Sequence, residues 1–115
     1  MKIILPLPPP ENERLIFAKN LGRFILSKKY REYKLHAQQL LKAISGITMI
    51  IPTFENQLII EITVFLSDKR RDGHGCLKPL MDVLQGVVYD SDKWVVPSFN
   101  KFNIDKDNPR VIICL

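Results

Sequence analysis

The chain has 115 residues, of which 46% are hydrophobic and 25% charged; these values describe one globular domain, residues 1–115, that can bury a core without disulfide bonds or structural metals. Lysine and arginine outnumber aspartate and glutamate by 17 to 12, which gives a net charge of +5 and favours a polyanionic partner such as nucleic acid. No run approaches the roughly 18 apolar residues of a membrane-spanning helix, and prolines interrupt the short apolar start, so we expect no signal peptide, no membrane partner and a cytoplasmic location.

The first half of the chain is predicted to contain a strand, a long loop and a helix. The strand covers Lys2 to Leu7 and is ended by the proline run. Residues 11–22 lack a clear hydrophobic period and are expected to form a loop, with a short extended segment at 23–26. Ser27 is a suitable N-cap for a helix that runs to about Ile44, because apolar residues recur there at three- and four-residue spacing. Ser45-Gly46 is expected to end this helix.

The second half shows the clearest strand pattern, at residues 57–66, where every second side chain is apolar and is expected to face the core. A helix is expected to begin near Leu77, since Pro79 fits only in its first turn. Further strands are predicted at 94–96, 99–102 and 110–115.

The order strand, loop, helix, strand, helix, strand, strand lacks a regular βαβ alternation. It favours an α+β fold, in which two main helices pack on one mixed or antiparallel β-sheet of a single domain.

Charged residues concentrate between positions 69 and 92. Lys69, Arg70, Arg71 and Asp72 follow the strand at 57–66, Lys78 lies in the next helix, and Asp90 and Asp92 lie in the turn after it. If Asp72 and Asp92 meet at one edge of the sheet with Lys78 between them, their oxygens suit a hard cation such as Mg²⁺. Such an ion can promote hydrolysis of a phosphodiester. Lys78 would place positive charge on the scissile phosphate, and the basic triplet would hold flanking phosphates.

Each of these residues also has a structural interpretation. Asp90 and Asp92 are common turn formers, and Lys78 has the spacing of an ordinary helix-surface pair with Asp82. His74, between two glycines, is either an exposed loop residue, a metal ligand or a general base. On the first helix, a basic face is either solvated or follows a phosphate backbone; it consists of Lys28, Lys29 and Arg31 with Lys34.

The motifs resemble those of the RusA-like Holliday junction resolvases over nearly the whole chain. The family has a first strand with a proline pair and an asparagine, an arginine-rich loop leading into Asp-x-Asp-Asn-x-x-Lys, a helix with Asp-Ala-Leu, and an acidic turn with an aspartate three residues before a valine. The matching segments are Ile4-Leu5-Pro6-Leu7-Pro8-Pro9 with Asn12, Arg70-Arg71-Asp72, Lys78, Asp82-Val83-Leu84, and Tyr89-Asp90-Ser91-Asp92 with Val95.

The resemblance implies a RusA-like fold and an endodeoxyribonuclease that resolves four-way DNA junctions in recombination and repair. It implies a divalent metal, Mg²⁺ or Mn²⁺, no small-molecule cofactor, and a homodimer, because symmetric paired cuts need two active sites. The family's acidic ligands fall on Asp72 and Asp92, and its essential lysine falls on Lys78. A phage or prophage origin is also suggested.

The sequence departs from the family pattern at His74 and Gly75, where the family has Asp and Asn. If His74 binds the metal, the site is less anionic and favours Mn²⁺ over Mg²⁺, and Asp90 is a candidate for the missing oxygen ligand. If it does not, the protein binds junctions without cutting them efficiently. An unrelated basic α+β module, such as an RNA-binding domain, is disfavoured because the chain lacks a glycine-aromatic RNA-binding signature.

Overall fold

The protein is described by a computed structural model that covers residues 1–44 and 46–115. In these residues the chain forms two α-helices, α1 (Lys28–Lys42) and α2 (Leu77–Leu84). Its strands are β1 (Lys2–Pro6), β2 (Leu15–Ala18), β3 (Arg23–Leu26), β4 (Leu58–Leu66), β5 (Val95–Ile104) and β6 (Arg110–Cys114). The predicted α+β class, with two main helices and a mixed sheet, is confirmed.

The main sheet has the strand order β1-β6-β4-β5. Strand β6 runs antiparallel to both of its neighbours, whereas β4 and β5 are parallel and are connected through α2. A parallel pair requires such a crossover, because the chain must return to the starting edge before the second strand can begin. The loop after β4 and the turn before β5 therefore lie at opposite ends of this pair.

The core lies between this sheet and the two helices. The predicted alternation in β4 is confirmed, since Ile60, Ile62 and Val64 are fully buried. Full burial of one such side chain stabilises the folded state by about 1.5–3 kcal/mol. The helices add buried apolar residues to the same cluster, namely Ala37, Leu41, Leu80, Val83 and Leu84.

Helix α1 begins as predicted, because the Oγ atom of Ser27 accepts a hydrogen bond from the backbone N–H of Tyr30 at 3.2 Å. It ends at Lys42, two residues before the predicted Ile44, with Ala43 as its C-cap. The predicted end at Ser45-Gly46 falls in part on Ser45, which lies outside the described residues. Among the helices of the described part of the chain, none has the length and hydrophobicity that crossing a membrane requires.

The prediction of a loop throughout residues 11–22 is wrong, because Leu15–Ala18 forms β2 and pairs with β3 in a separate hairpin. The turn of the hairpin closes at Gly22, whose φ of 64° lies in the left-handed region that glycine tolerates. The hairpin has no buried residue, and its exposed large apolar side chains include Phe17 and Phe24.

The two strands predicted at 94–96 and 99–102 are one continuous strand, β5. Its pairing with β4 shifts by one residue, since Ile62 pairs with Phe99 whereas Thr63 pairs with Lys101. Asn100 is the extra residue of this bulge, and an extra residue interrupts the alternation of side chains by which a strand is recognised in sequence.

Candidate functional site

Asp72 and His74 form a pair at the end of the loop that follows β4. Asp72 caps a short 3₁₀ turn, and its Oδ1 atom accepts a hydrogen bond from the backbone N–H of His74 at 2.9 Å. The Nδ1 atom of the His74 ring lies 3.2 Å from the same oxygen. The backbone bond, and then the ring, lower the pKa of the Asp72 carboxyl, so the group is an anion at neutral pH. The Asp72 side chain is 77% exposed and the His74 side chain is 70% exposed, so both are accessible to a ligand.

The His74 ring is supported by two aromatic side chains of β5. Its centroid lies 5.2 Å from that of Phe99 and 5.0 Å from that of Phe102, both in edge-on geometry. Gly73 permits this approach, because a Cβ atom at that position would lie 2.4 Å from the Phe102 ring. When Nδ1 donates to Asp72, Nε2 is the ring nitrogen that can bind a metal or accept a proton.

The three basic residues of the loop differ in their surroundings. Arg71 is turned inward, and its Nη2 atom donates a hydrogen bond to the carbonyl oxygen of Pro8. Arg70 pairs with Asp68 at 3.0 Å but is 90% exposed, and Lys69 is exposed. Lys69 and Arg70 are therefore accessible to phosphates, whereas Arg71 ties the loop to the proline run.

An open groove of about 1060 Å³ lies beside Asp72. Its walls are residues 10–13, from the turn after the proline run, and residues of the loop after β4, including Arg70. Asn12, which the family resemblance includes, also lines it. Asp72 thus lies in the wall of an open groove and is accessible from solvent.

Lys78 belongs to a second charged cluster, on α2. Its Nζ atom lies 3.2 Å from Oδ1 of Asp82, as the four-residue spacing predicts. The hydroxyl group of Tyr30 donates a hydrogen bond to Oδ2 of Asp82 at 2.6 Å, and the guanidinium group of Arg14 lies 3.3 Å from the same oxygen. Sequence reasoning missed Arg14 and Tyr30 as members of this cluster, because they come from distant segments. The only local signal was the pairing of Lys78 with Asp82.

Asp90 and Asp92 lie in the turn between α2 and β5. The Oδ1 atom of Asp90 accepts a hydrogen bond from the backbone N–H of Ser91 at 2.8 Å, which is the behaviour of a turn former. Asp92 is exposed and begins a 3₁₀ turn. Trp94, in the same turn, packs edge-on against Phe54 with ring centroids 5.4 Å apart.

The two acidic segments are separated along the sheet. Asp72 follows the carboxyl end of β4, whereas Asp92 precedes the amino end of β5. Within residues 1–44 and 46–115, no group of three or more His, Cys, Asp and Glu side chains is placed to hold a metal ion. The described chain therefore presents Asp72 and His74 as two donors, which a Mg²⁺ ion would need to supplement with other oxygens.

The basic face predicted on α1 is largely solvated. Lys28 lies 3.8 Å from Glu32, and Lys29 lies 3.0 Å from Glu13. Arg31 is exposed. Exposed ion pairs of this kind contribute little to stability, so these side chains remain available to a phosphate backbone.

An ionised carboxylate paired with an imidazole, beside a basic loop and an open groove, is suited to phosphate chemistry, which places the protein among candidate nucleases. The family model for endodeoxyribonuclease RusA matches residues 6–115. The chain therefore belongs to the RusA endodeoxyribonuclease family, and the resemblance inferred from its motifs is confirmed. This family is one of Holliday junction resolvases that act on junction DNA, and nucleases of this kind generally use divalent metals. A comparison with curated proteins gives no match.

Proposed function

We propose that the protein is a structure-selective endodeoxyribonuclease that resolves four-way DNA junctions in recombination and repair, acting in the cytoplasm. The observation that carries this proposal is the exposed Asp72–His74 pair beside the groove, in a chain of the RusA family. Asp72, Lys78 and Asp92 are the proposed catalytic residues. The proposed DNA contacts are Lys69, Arg70, Lys28, Lys29 and Arg31. Arg71, which the sequence suggested as a further contact, is proposed instead to hold the loop through Pro8.

The proposed metal is Mg²⁺ or Mn²⁺, with Asp72 and His74 as donors and Asp90 or Asp92 as further ones. These carboxylates do not meet His74 within one protomer, so a second protomer is one way to complete the ligand set. The β2–β3 hairpin supports a homodimer, because an exposed apolar surface of this kind marks an interaction site. A mixed nitrogen and oxygen donor set favours Mn²⁺ over Mg²⁺.

The proposed function is tested with a synthetic four-way junction, labelled in each strand, and a linear duplex of the same sequence. Protein is mixed with each DNA with no metal, with Mg²⁺ and with Mn²⁺. We expect tight binding to the junction, weaker binding to the duplex, and paired symmetric cuts when a metal is present. Equal affinity for both DNAs, or no cuts in either metal, would refute structure-selective cleavage.

The replacement of the family's second aspartate by His74 favours one alternative, a junction-binding protein that cuts poorly. Under this alternative, His74→Asp restores a carboxylate, and we expect cleavage in Mg²⁺ to rise about tenfold, the lower end of the effect of groups that tune a metal site. Single-turnover cleavage in Mg²⁺ and in Mn²⁺ measures the change. His36→Asp, on α1, is the matched control. A fall in cleavage with both metals would show instead that the imidazole itself is needed.

The structure predicts different roles for Lys69 and Arg71. We expect Lys69→Gln to weaken junction binding and to lower the slope of affinity against salt by about 1, since one phosphate contact is lost. Arg71→Gln is expected to lower the free energy of unfolding by about 1.5–3 kcal/mol, because the Pro8 carbonyl loses a charged donor. Fluorescence anisotropy at several salt concentrations measures the affinity and its salt slope. Urea denaturation measures the free energy of unfolding. If Arg71→Gln is as stable as the wild type and has a reduced salt slope, Arg71 contacts a phosphate and its structural role is refuted.

A further inference from the structure

The Asp82 carboxylate is shared by three donors from three parts of the chain. Arg14 and Tyr30 both bind its Oδ2 atom, whereas Lys78 binds Oδ1. The side chain of Asp82 is only 18% exposed, against 45% for Lys78. Lys78 is thus the outermost member of a cluster whose centre is largely shielded from water.

The members of this cluster are themselves fixed. The guanidinium carbon of Arg14 lies 5.5 Å from the centroid of the Tyr30 ring, within the range of a cation–π contact. The backbone carbonyl of Arg14 accepts a hydrogen bond from the N–H of Ser27 at 2.8 Å, and Ser27 also caps α1. Tyr30 is buried in the first turns of that helix. Asp82 is therefore held by the buried Tyr30 side chain and by Arg14, whose backbone is hydrogen-bonded to the N-cap of α1.

The charges of the cluster leave one positive charge unbalanced. Burial raises the pKa of the Asp82 carboxyl, but the hydrogen bonds from Tyr30 and Lys78 and the charges of Lys78 and Arg14 outweigh it, and the pKa is lowered. Burial, and then the bond to Asp82, raise the pKa of Tyr30 to about 12. At neutral pH the cluster therefore contains two cations, one carboxylate and one neutral phenol.

We propose that Asp82 is a positioning residue for Lys78, and that Arg14 and Tyr30 hold Asp82 so that the Lys78 ammonium group is directed at a DNA phosphate. The role rests on the proposed function, in which Lys78 is a catalytic residue of phosphodiester cleavage. A lysine side chain has many rotamers in solvent, and holding it in one of them beforehand provides the orientation that the catalysed step requires. Arg14 balances the charge of Asp82, so the charge of Lys78 remains available to the phosphate.

The arrangement is tested first without DNA, by NMR of ¹⁵N-labelled lysine side chains, with Lys78→Arg to assign the Lys78 signal. We expect the bound Lys78 ammonium group to exchange its protons slowly in the wild type and to lose this protection in Asp82→Asn. Tyr30→Phe, which removes one hydroxyl group, is expected to have an intermediate effect. Asp105→Asn is the matched control, because Asp105 forms a comparable pair with Arg110 at 2.8 Å in the β5–β6 turn. The Lys78 signal of the Asp105→Asn variant should equal that of the wild type.

The second measurement is single-turnover junction cleavage by the same variants. Asp82→Asn is expected to slow cleavage by about 10-fold to 100-fold, the range for a misplaced catalytic group, with little change in junction affinity. An unchanged Lys78 signal together with unchanged cleavage in Asp82→Asn would overturn the proposal. If Asp82→Asn does not fold, Tyr30→Phe decides by the same two criteria. If the wild type itself does not cut, the nuclease function fails, whereas the NMR comparison still tests the positioning of Lys78.

Discussion

Replacing Asp72 with asparagine is expected to slow junction cleavage by about 100-fold to 1000-fold, because it weakens binding of the cation proposed to stabilise the charge that develops on the phosphate. Asparagine keeps the side-chain oxygen that accepts the His74 N–H bond, so the 3₁₀ turn is expected to persist. It lacks the negative charge that a divalent cation requires. Single-turnover cleavage in Mn²⁺ and in Mg²⁺ measures the loss, and a mobility-shift titration without metal is expected to show near wild-type junction affinity.

Asp107→Asn provides the matched control for this substitution, because Asp107 is an exposed aspartate in the β5–β6 turn. It changes the net charge by the same amount and should leave cleavage unchanged. Wild-type cleavage rates in Asp72→Asn would remove Asp72 from the active site. A loss of junction binding as large as the loss of cleavage would indicate that Asp72 acts on the fold of the loop rather than on the reaction.

Gly73→Ala is expected to lower the free energy of unfolding by about 1–3 kcal/mol, the usual cost of overpacking. The added Cβ atom would lie 2.4 Å from the Phe102 ring, so that ring, or the turn that carries His74, must move. Urea denaturation measures the stability, and the NMR signals of the His74 ring report its displacement from the aromatic side chains.

A double-mutant cycle isolates the contact between Gly73 and Phe102. In a Phe102→Ala background the ring is absent, and Gly73→Ala is expected to cost less than in the wild type. Gly75→Ala is the control, because a Cβ atom there meets only the backbone nitrogen of Glu11 at 3.7 Å, an ordinary contact. Equal destabilisation by Gly73→Ala in both backgrounds would show that the ring does not cause the cost.

The features that were predicted correctly from the sequence are those determined by residues close together along the chain. The alternation of β4 follows from the two-residue period of a strand, and the cap of α1 follows from the preference of serine for that position. The hairpin strand β2 was missed for a related reason. Its four residues are all apolar, so the strand shows no alternation of apolar and polar residues, and it is too short for another pattern to be recognised.

The parts of the site that sequence did not predict depend on long-range arrangement. Hydrophobic period locates β4 and two parts of β5 but gives neither the direction nor the pairing of these strands, and the parallel pairing separates Asp72 from Asp92. The support of His74 by Phe99 and Phe102 depends on the same pairing. The cluster at Asp82 joins α2 to α1 and to Arg14, and only the four-residue spacing of Lys78 and Asp82 indicated any part of it.

The position of β6 between β1 and β4 has a consequence for the rate of folding. Lys2 pairs with Cys114, and Glu61 pairs with the same residue on the other side, so the centre of the sheet joins opposite ends of the described chain. Long-range pairing of this kind requires closure of large loops before any contact is gained, and proteins dominated by it fold in milliseconds to seconds rather than microseconds. Until β6 is in place, β1 and β4 each expose an unpaired edge of apolar residues, and a newly made chain is most prone to aggregate in that interval.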